Sequence, residues 1–435
     1  MKRAGILIIS IIISNTLLFA EEYTLQKCID TAIKNNPQVK VAEQKLIVSS
    51  ARRGEAFSGY LPKLNAVAVY TKLSEPTFKL SPAVAAMFSL DPSMTSDNLY
   101  IGKLTLTQPL FMWGKLRQFN KQAGLGYDIS LEDLRKTKNE IILAVKQTFY
   151  GYLLTKKMNE ISKEAFSVTE EHYRVAQAFY DDGRISTYDV SQGKVAMLNA
   201  KSNMVRAENG LALSKAALIN LLNLPETEAH SAEFTGELEF MPVEPNLEIL
   251  QADALKNRPE IKQLELTEQI NKSLVSVSKA DNKPVIALSG NYTMQYGLWD
   301  TDLDKWQKKW DTSLAISMPI FDGMASHNRV KQAKANLEQI RITREQAEQG
   351  IMLEVEQAYL TLIQNKNIIT AQKENMETAL DNLEIAKKRY AEGLMSSLEI
   401  RDAQLSTTMA ETNYFQSLAG ERINSYRFLS SIGIL

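Results

Sequence analysis

The chain has 435 residues, with 50 basic and 51 acidic side chains and a formal net charge of −1. So even a balance leaves no electrostatic footprint for a nucleic-acid partner. The single cysteine, Cys28, excludes an internal disulfide and a cysteine-based metal site, and His172, His230 and His327 stand in no metal-ligand spacing. No nucleophile context for Ser, Asp and His occurs either, so the sequence points to no enzyme and no cofactor.

Lys2 and Arg3 precede an apolar run, 4–19, that ends at Ala20 before Glu21 and Glu22. This is the layout of a secretory signal peptide over 1–20. An uncleaved anchor is the alternative, but the run contains Ser10, Ser14, Asn15 and Thr16 and falls short of the ~20 apolar residues of a spanning helix. A helix is expected over 25–59. Tyr60-Leu61-Pro62-Lys63-Leu64 then opens a hairpin, 62–108, with strands over 62–73 and 99–108 and a proline-bearing loop between them. A very long helix follows, from Phe111 to Phe179, and ends in a turn, 180–187. Gly183 suits a left-handed helix stop and Ser186 or Thr187 the next N-cap. A return helix runs to Leu222. Residues 223–245, with Pro225, Gly236, Pro242 and Pro245, read as a connector.

The second half begins with a helix over 247–279. Its hairpin, 284–319, alternates cleanly: Ile286, Leu288, Tyr292, Met294 and Tyr296 on one face, and Ala287, Ser289, Asn291, Thr293 and Gln295 on the other. Leu314, Ile316 and Met318 alternate with Ser313, Ala315 and Ser317. This dyad pattern fits a transmembrane barrel strand, and a soluble hairpin with one wet face is its alternative. Trp299, Trp306 and Trp310 gather at the hairpin end, where interfacial aromatics would sit. From Phe321 to Arg389 there is no proline, which predicts a helix of ~100 Å at 1.5 Å per residue. Met376, Ala379, Leu383, Ala386 and Tyr390 mark a coiled-coil seam, while Leu353, Leu360 and Ile368 lie off it and suggest a second neighbour. The turn 390–397, built around Gly393, leads to a last helix ending near Ser430.

The two halves are copies. Asn35, Pro37, Pro62 and Tyr70 return as Asn257, Pro259, Pro284 and Tyr292, each shifted by 222. Pro109, Phe111, Gln147, Tyr180, Gly183 and Ser186 return as Pro319, Phe321, Gln357, Tyr390, Gly393 and Ser396, each shifted by 210. The first hairpin therefore has a loop 12 residues longer, the difference between the two shifts. The repeats are 21–222 and 246–435. Four strands per chain cannot close a barrel, whose smallest membrane form has about eight, and an open edge is not tolerated in lipid. Several copies must contribute.

The chain resembles TolC-type outer-membrane efflux proteins. The carrying residues are Tyr60-Leu61-Pro62-Lys63-Leu64, Gln108-Pro109-Leu110-Phe111, Met318-Pro319-Ile320-Phe321, and the tip motifs Gly183-x5-Asp189-Val190 and Gly393-x5-Glu399-Ile400. The resemblance implies a mainly α fold with a small β part and a homotrimer. Very long helices would form a periplasmic α-barrel, and four strands per chain would complete a 12-stranded barrel in outer-membrane lipid. It implies a periplasmic adaptor and an inner-membrane pump or secretion ATPase as partners, with no residue to identify what is exported. Carried over by position, Glu399 and Asp402 would ring the pore entrance. Tyr390 and Asp189 would touch in the closed state, beside the tip turns at Gly183 and Gly393. The family's arginine two residues after the second tip glycine is Met395 here. A periplasmic coiled-coil adaptor or tether without a pore is the rival, although it would lack two hairpins at equivalent places in a duplication.

Overall fold

The structure is a computed structural model that describes residues 22–74, 81–87, 98–240, 247–296, 306–392 and 394–435. The expected signal peptide, Trp299 and Gly393 lie outside the described residues. In chain order the elements are β1 (Glu22–Tyr23), α1 (Leu25–Asn35), α2 (Pro37–Ser58), β2 (Lys63–Lys72), α3 (Pro82–Met87), β3 (Asn98–Phe111), α4 (Lys115–Asp181) and α5 (Thr187–Leu222). They continue as α6 (Glu226–Ala229), β4 (Glu233–Phe234), α7 (Leu247–Asn257), α8 (Pro259–Lys279), β5 (Val285–Tyr296), β6 (Gln307–Ser317), α9 (Ala325–Ala391) and α10 (Ser397–Ser431). The chain divides into two compact units. One takes the chain up to Ala42, Leu134–Pro259 and Gln349–Leu435, and the other takes Glu43–Asp133 and Glu260–Glu348.

Three sequence expectations need correction. The helices expected over 25–59 and 247–279 are each broken in two, because Pro37 and Pro259 lack the amide that would continue the ladder and force extended backbone on the residue before them. Asn36 accordingly has ψ 129°. The long helices begin at Lys115 and Ala325, four residues later than Phe111 and Phe321, since a left-handed pair precedes each: Trp113 and Gly114, then Gly323 and Met324. Finally, β3 runs on through Pro109 to Phe111 by a register shift against β5, so Pro109 does not end it.

In the helical unit, α4 lies between α5 and α10, and α10 between α4 and α9. Thr155 and Ser214 hydroxyls meet at 2.6 Å across α4 and α5, Tyr150 stacks on Tyr426 across α4 and α10 at 5.7 Å, and Thr407 donates to the Ala379 carbonyl at 3.0 Å across α10 and α9. The covered stripe of α9 is Ile351, Val355, Ala358, Leu362, Asn365, Ile369, Gln372, Met376, Ala379, Leu383, Ala386 and Tyr390. Its steps alternate between four and three, the spacing of a coiled-coil seam. Leu353, Leu360, Ile363 and Ile385 remain exposed beside it, as do Tyr188, Val195, Leu198, Val205 and Leu213 on α5. The outer flanks of this helix layer therefore carry apolar side chains that no described residue covers.

The core of this unit joins Cys28, Ala32 and Val39 to Val145, Phe149 and Leu153 of α4 and Leu218 and Leu222 of α5. Gly236 passes so close to Phe149 that an added Cβ would lie 3.0 Å from the ring, so only glycine fits without a shift. The residues before the two prolines perform one task twice. Asn36 donates to the Leu221 carbonyl at 3.0 Å, and Arg258 donates to the Ser431 carbonyl at 2.7 Å. Leu221 and Ser431 are themselves related by the 210-residue shift. Burial of Cys28 pushes its thiol up to about 12, as expected of a packing residue.

The other unit carries the sheet, in the order β2-β3-β5-β6, with all neighbours antiparallel. One face is mainly apolar, with Leu64, Ala66, Ala68, Tyr70, Tyr100, Leu104, Leu106, Ile286, Leu288, Tyr292, Met294, Leu314 and Ile316, and is interrupted by Gln108, Lys308 and Thr312. The opposite face is a hydrogen-bonded polar surface. Ser289 and Ser313 meet at 2.8 Å, Asn291 donates to Asp311 at 2.8 Å, Thr105 donates to Asn291 at 3.0 Å, and Gln295 donates to Gln307 at 2.8 Å. Val67, Val69 and Ile101 interrupt that polar face on the first hairpin, which is why its alternation is less legible in sequence. Tyr100, Tyr296 and Trp306 cluster at the loop end with ring centroids 5.7–6.5 Å apart, while Trp310 sits further along, opposite Tyr292. In the same unit, the buried Glu268 carboxylate receives Lys272 at 2.7 Å, Arg344 at 2.7 Å and Arg341 at 3.3 Å, tying α8 to α9. The Lys272 hydrogen bond, followed by that of Arg341, holds its pKa below the ordinary value against the opposing effect of burial.

Asn36→Ala should cost about 1–3 kcal/mol, since the Leu221 carbonyl loses its donor and the Gln38 amide its acceptor at 2.8 Å. Amide exchange in α1 and the end of α5 reads this directly. Unchanged protection there would contradict the role given to Asn36.

Candidate functional site: the helix tips

The turns joining α4 to α5 and α9 to α10 are built alike. Gly183 has φ +73°, and the amides of Gly183 and Arg184 bond back to the carbonyls of Tyr180 and Phe179 at 2.8 Å each, satisfying the end of α4. At the second turn the Leu394 amide reaches the Arg389 carbonyl at 2.9 Å. The following helices open with capping boxes. The Asp189 carboxylate accepts from the Ser186 amide at 3.2 Å and hydroxyl at 2.7 Å, and the Asp189 amide donates back to Ser186 Oγ at 3.3 Å. The Glu399 carboxylate accepts from the Ser396 amide at 2.8 Å and hydroxyl at 2.7 Å, and its amide donates to Ser396 Oγ at 3.3 Å. Asp189 and Glu399, given separate roles from the sequence, are one position of the duplication with one structural task.

Glu399 is exposed, and the Ser396 hydroxyl and amide, assisted by Arg389, hold its carboxyl below the ordinary value. Asp402 is exposed one turn on, its charge not used in a cap. Beside Arg401 it lines a groove of about 400 Å³ with Ala165 and Thr169 of α4 and Val195, Asn199 and Asn203 of α5. No hydrogen bond joins Tyr390 to Asp189 among the described residues, because the Asp189 carboxylate is turned onto Ser186. Tyr390 instead stacks obliquely on His172 of α4, with ring centroids 6.0 Å apart and planes at 59°. Its twin Tyr180 accepts from Thr187 Oγ1 at 3.4 Å. His172 was not legible as a tip residue, since it sits in no motif and has no counterpart among the repeated residues. Arg184, beside the first tip glycine, lies over the Phe179 ring at 4.2 Å. Among the described residues no cluster of acidic, histidine or cysteine side chains could hold a metal, and no helix is long and apolar enough to cross a membrane.

Helix pairs ending in capped turns, with a small sheet apolar on one face and polar on the other, define an outer-membrane efflux channel. The chain belongs to the outer membrane efflux protein family, which it matches over residues 28–224 and 250–426, one block in each repeat. It is 22% identical to the probable efflux pump outer membrane protein TtgC of Pseudomonas putida, over 93% of this chain and 81% of that protein. It is 23% identical to the toxin and drug export protein A of Aggregatibacter actinomycetemcomitans, over 79% of this chain and 78% of that protein. Among solved structures it is similar to the CmeC outer membrane channel of Campylobacter jejuni, with a TM-score of 0.81 at 20% identity over 94% of this chain and 85% of that one.

Ser186→Ala should lower amide protection in the first turn of α5 by about 0.5–2 kcal/mol, and Ser396→Ala should lower it in the first turn of α10. The Glu399 contribution should be present above the ordinary carboxylate value of 4.5 and fade as the pH falls through its lowered value. Protection insensitive to either serine would remove the capping roles.

Proposed function

We propose that this chain is the exit duct of a tripartite efflux or type I secretion machine, a passive conduit in the outer membrane whose entrance is controlled at the helix tips. The observation that carries this is the sheet: four strands, one mainly apolar and one mainly polar face, and two edges, β2 and β6, without a partner among the described residues. Three copies joined edge to edge give twelve strands, enough for an aqueous interior rather than a side-chain-filled one. The uncovered apolar flanks of α5 and α9 support the same head-to-tail joining. The relatives' names cover both an efflux pump and toxin and drug export, which favours a partnership with a periplasmic adaptor and an inner-membrane pump or secretion ATPase and leaves no single cargo favoured. The duct has no catalytic task.

At the entrance, Asp402 is the stronger gate acid. Its carboxylate is exposed and holds no hydrogen bond or ion pair among the described residues, whereas that of Glu399 is committed to its own helix start. Repetition in each copy concentrates negative potential at the narrow end and attracts multivalent cations. The fold and the tip turns do not depend on Asp402.

Detergent-solubilised protein should have a mass of three chains, and a monomer that keeps its β signal would overturn the duct. In single-channel recordings, Asp402→Asn should raise the half-blocking concentration of a trivalent cation by about tenfold or more. Glu399→Gln should change it less while loosening the tip. The reverse ranking would return the gate to Glu399.

A further inference from the structure

His172 is the one imidazole at the tip, and four helices of the same unit meet around it. It lines a small cavity of about 40 Å³ with Tyr390 of α9, Ser397, Arg401 and Gln404 of α10, and Gly193 of α5. Gln404 Oε1 is buried there without a hydrogen-bond partner. The His172 ring is half-buried against Tyr390, the residue that joins α9 to α4 at the last turn before the tip.

The charged surroundings are unfavourable to a protonated ring. From α9 it faces Lys387 and the neutral phenol of Tyr390; from α10, Arg401 and the neutral Gln404; from α5, only Gly193 and Ala196. Glu171, its own neighbour on α4, is the one acid acting on it. We propose that neutral His172 closes the tip by packing α4 against α9 and α10, and that its protonation releases this contact, making the tip an acid-sensitive latch. A third positive charge beside Lys387 and Arg401 would be held half-buried against the Tyr390 ring, with Glu171 as the one acid acting on it. The ring gains water and separation only if α9 and α10 move away from α4.

Burial, then Lys387, lowers the pKa of His172 from 6.5, with Glu171 opposing. The released tip therefore binds the proton more readily than the closed one. Closure should be complete above the ordinary imidazole value and weaken as the pH drops below it. Its effect on conductance rests on the proposed reading of the chain as a gated duct, whereas the release itself does not.

The test compares amide exchange at the end of α9 and start of α10 with resting single-channel conductance, at about pH 7.5 and about pH 5.5. Exchange is corrected for its intrinsic pH dependence. In the wild type, corrected exchange and conductance should both rise by about fivefold or more on acidification. His172→Phe keeps the ring and cannot titrate, so it should respond to pH in neither readout, and His172→Gln should respond equally little. His172→Lys should exchange rapidly and conduct at both pH values. A wild-type tip insensitive to pH, or a sensitivity that survives in both His172→Phe and His172→Gln, overturns the latch. A pH-dependent exchange that follows His172 without any measurable conductance supports the latch and overturns the duct.

Discussion

A sheet edge cannot be left open in a membrane, because each unpaired amide and carbonyl there costs several kcal/mol with no water to compensate. The sheet of this chain has two such edges, and no other strand of the described residues can cover them: β1 and β4 pair only with each other. The helix layer is incomplete in the same sense, with apolar flanks on α5 and α9 that stay exposed among the described residues. Both deficiencies are met by one operation, the first edge of one copy against the last edge of the next. Such head-to-tail contacts end only when the rotation closes into a ring. The proposed trimer is thus a consequence of unfinished pairing rather than an addition to a complete fold.

Duplication explains how a single chain supplies two near-equivalent segments of such a ring. Asn36 and Arg258 fasten equivalent breaks to equivalent carbonyls, and Ser186 with Asp189 and Ser396 with Glu399 open equivalent helices. The repeats differ in the length of the hairpin loop and, at the tips, in what the equivalent residues touch. Tyr180 serves its own turn, whereas Tyr390 reaches across to His172. Asp402 has Gln192 as its twin, so one repeat alone carries an unshared acid at that level.

Much of this was legible in the sequence, and what was missed has physical causes. The long helices, the seam through Met376, Leu383 and Tyr390, and the alternation of β5 follow from periodicities that burial enforces over many residues. The seam continues to Ile351 through Asn365 and Gln372, two polar residues that conceal its length from a search for apolar ones. The breaks at Pro37 and Pro259 are masked in the sequence because the helical pattern resumes on either side. Positional likeness assigns Glu399 to a pore ring and Asp189 to a contact with Tyr390, while the serine three residues before each acid is itself a capping signal that gives both one local task. His172 gave no signal: a lone histidine becomes a tip contact only when the return turns bring α9 and α10 beside α4.

The most direct test of the account is covalent capture of the open edges. With Cys28 replaced by serine, Val67→Cys on β2 would be combined in turn with a single cysteine at each position from Thr312 to Ser317 on β6. Oxidation in isolated outer membranes should link neighbouring chains at a subset of positions, giving species of two and three chains and none larger. Crosslinks confined within single chains, none at any position, or a ladder extending past three chains would contradict the closed ring.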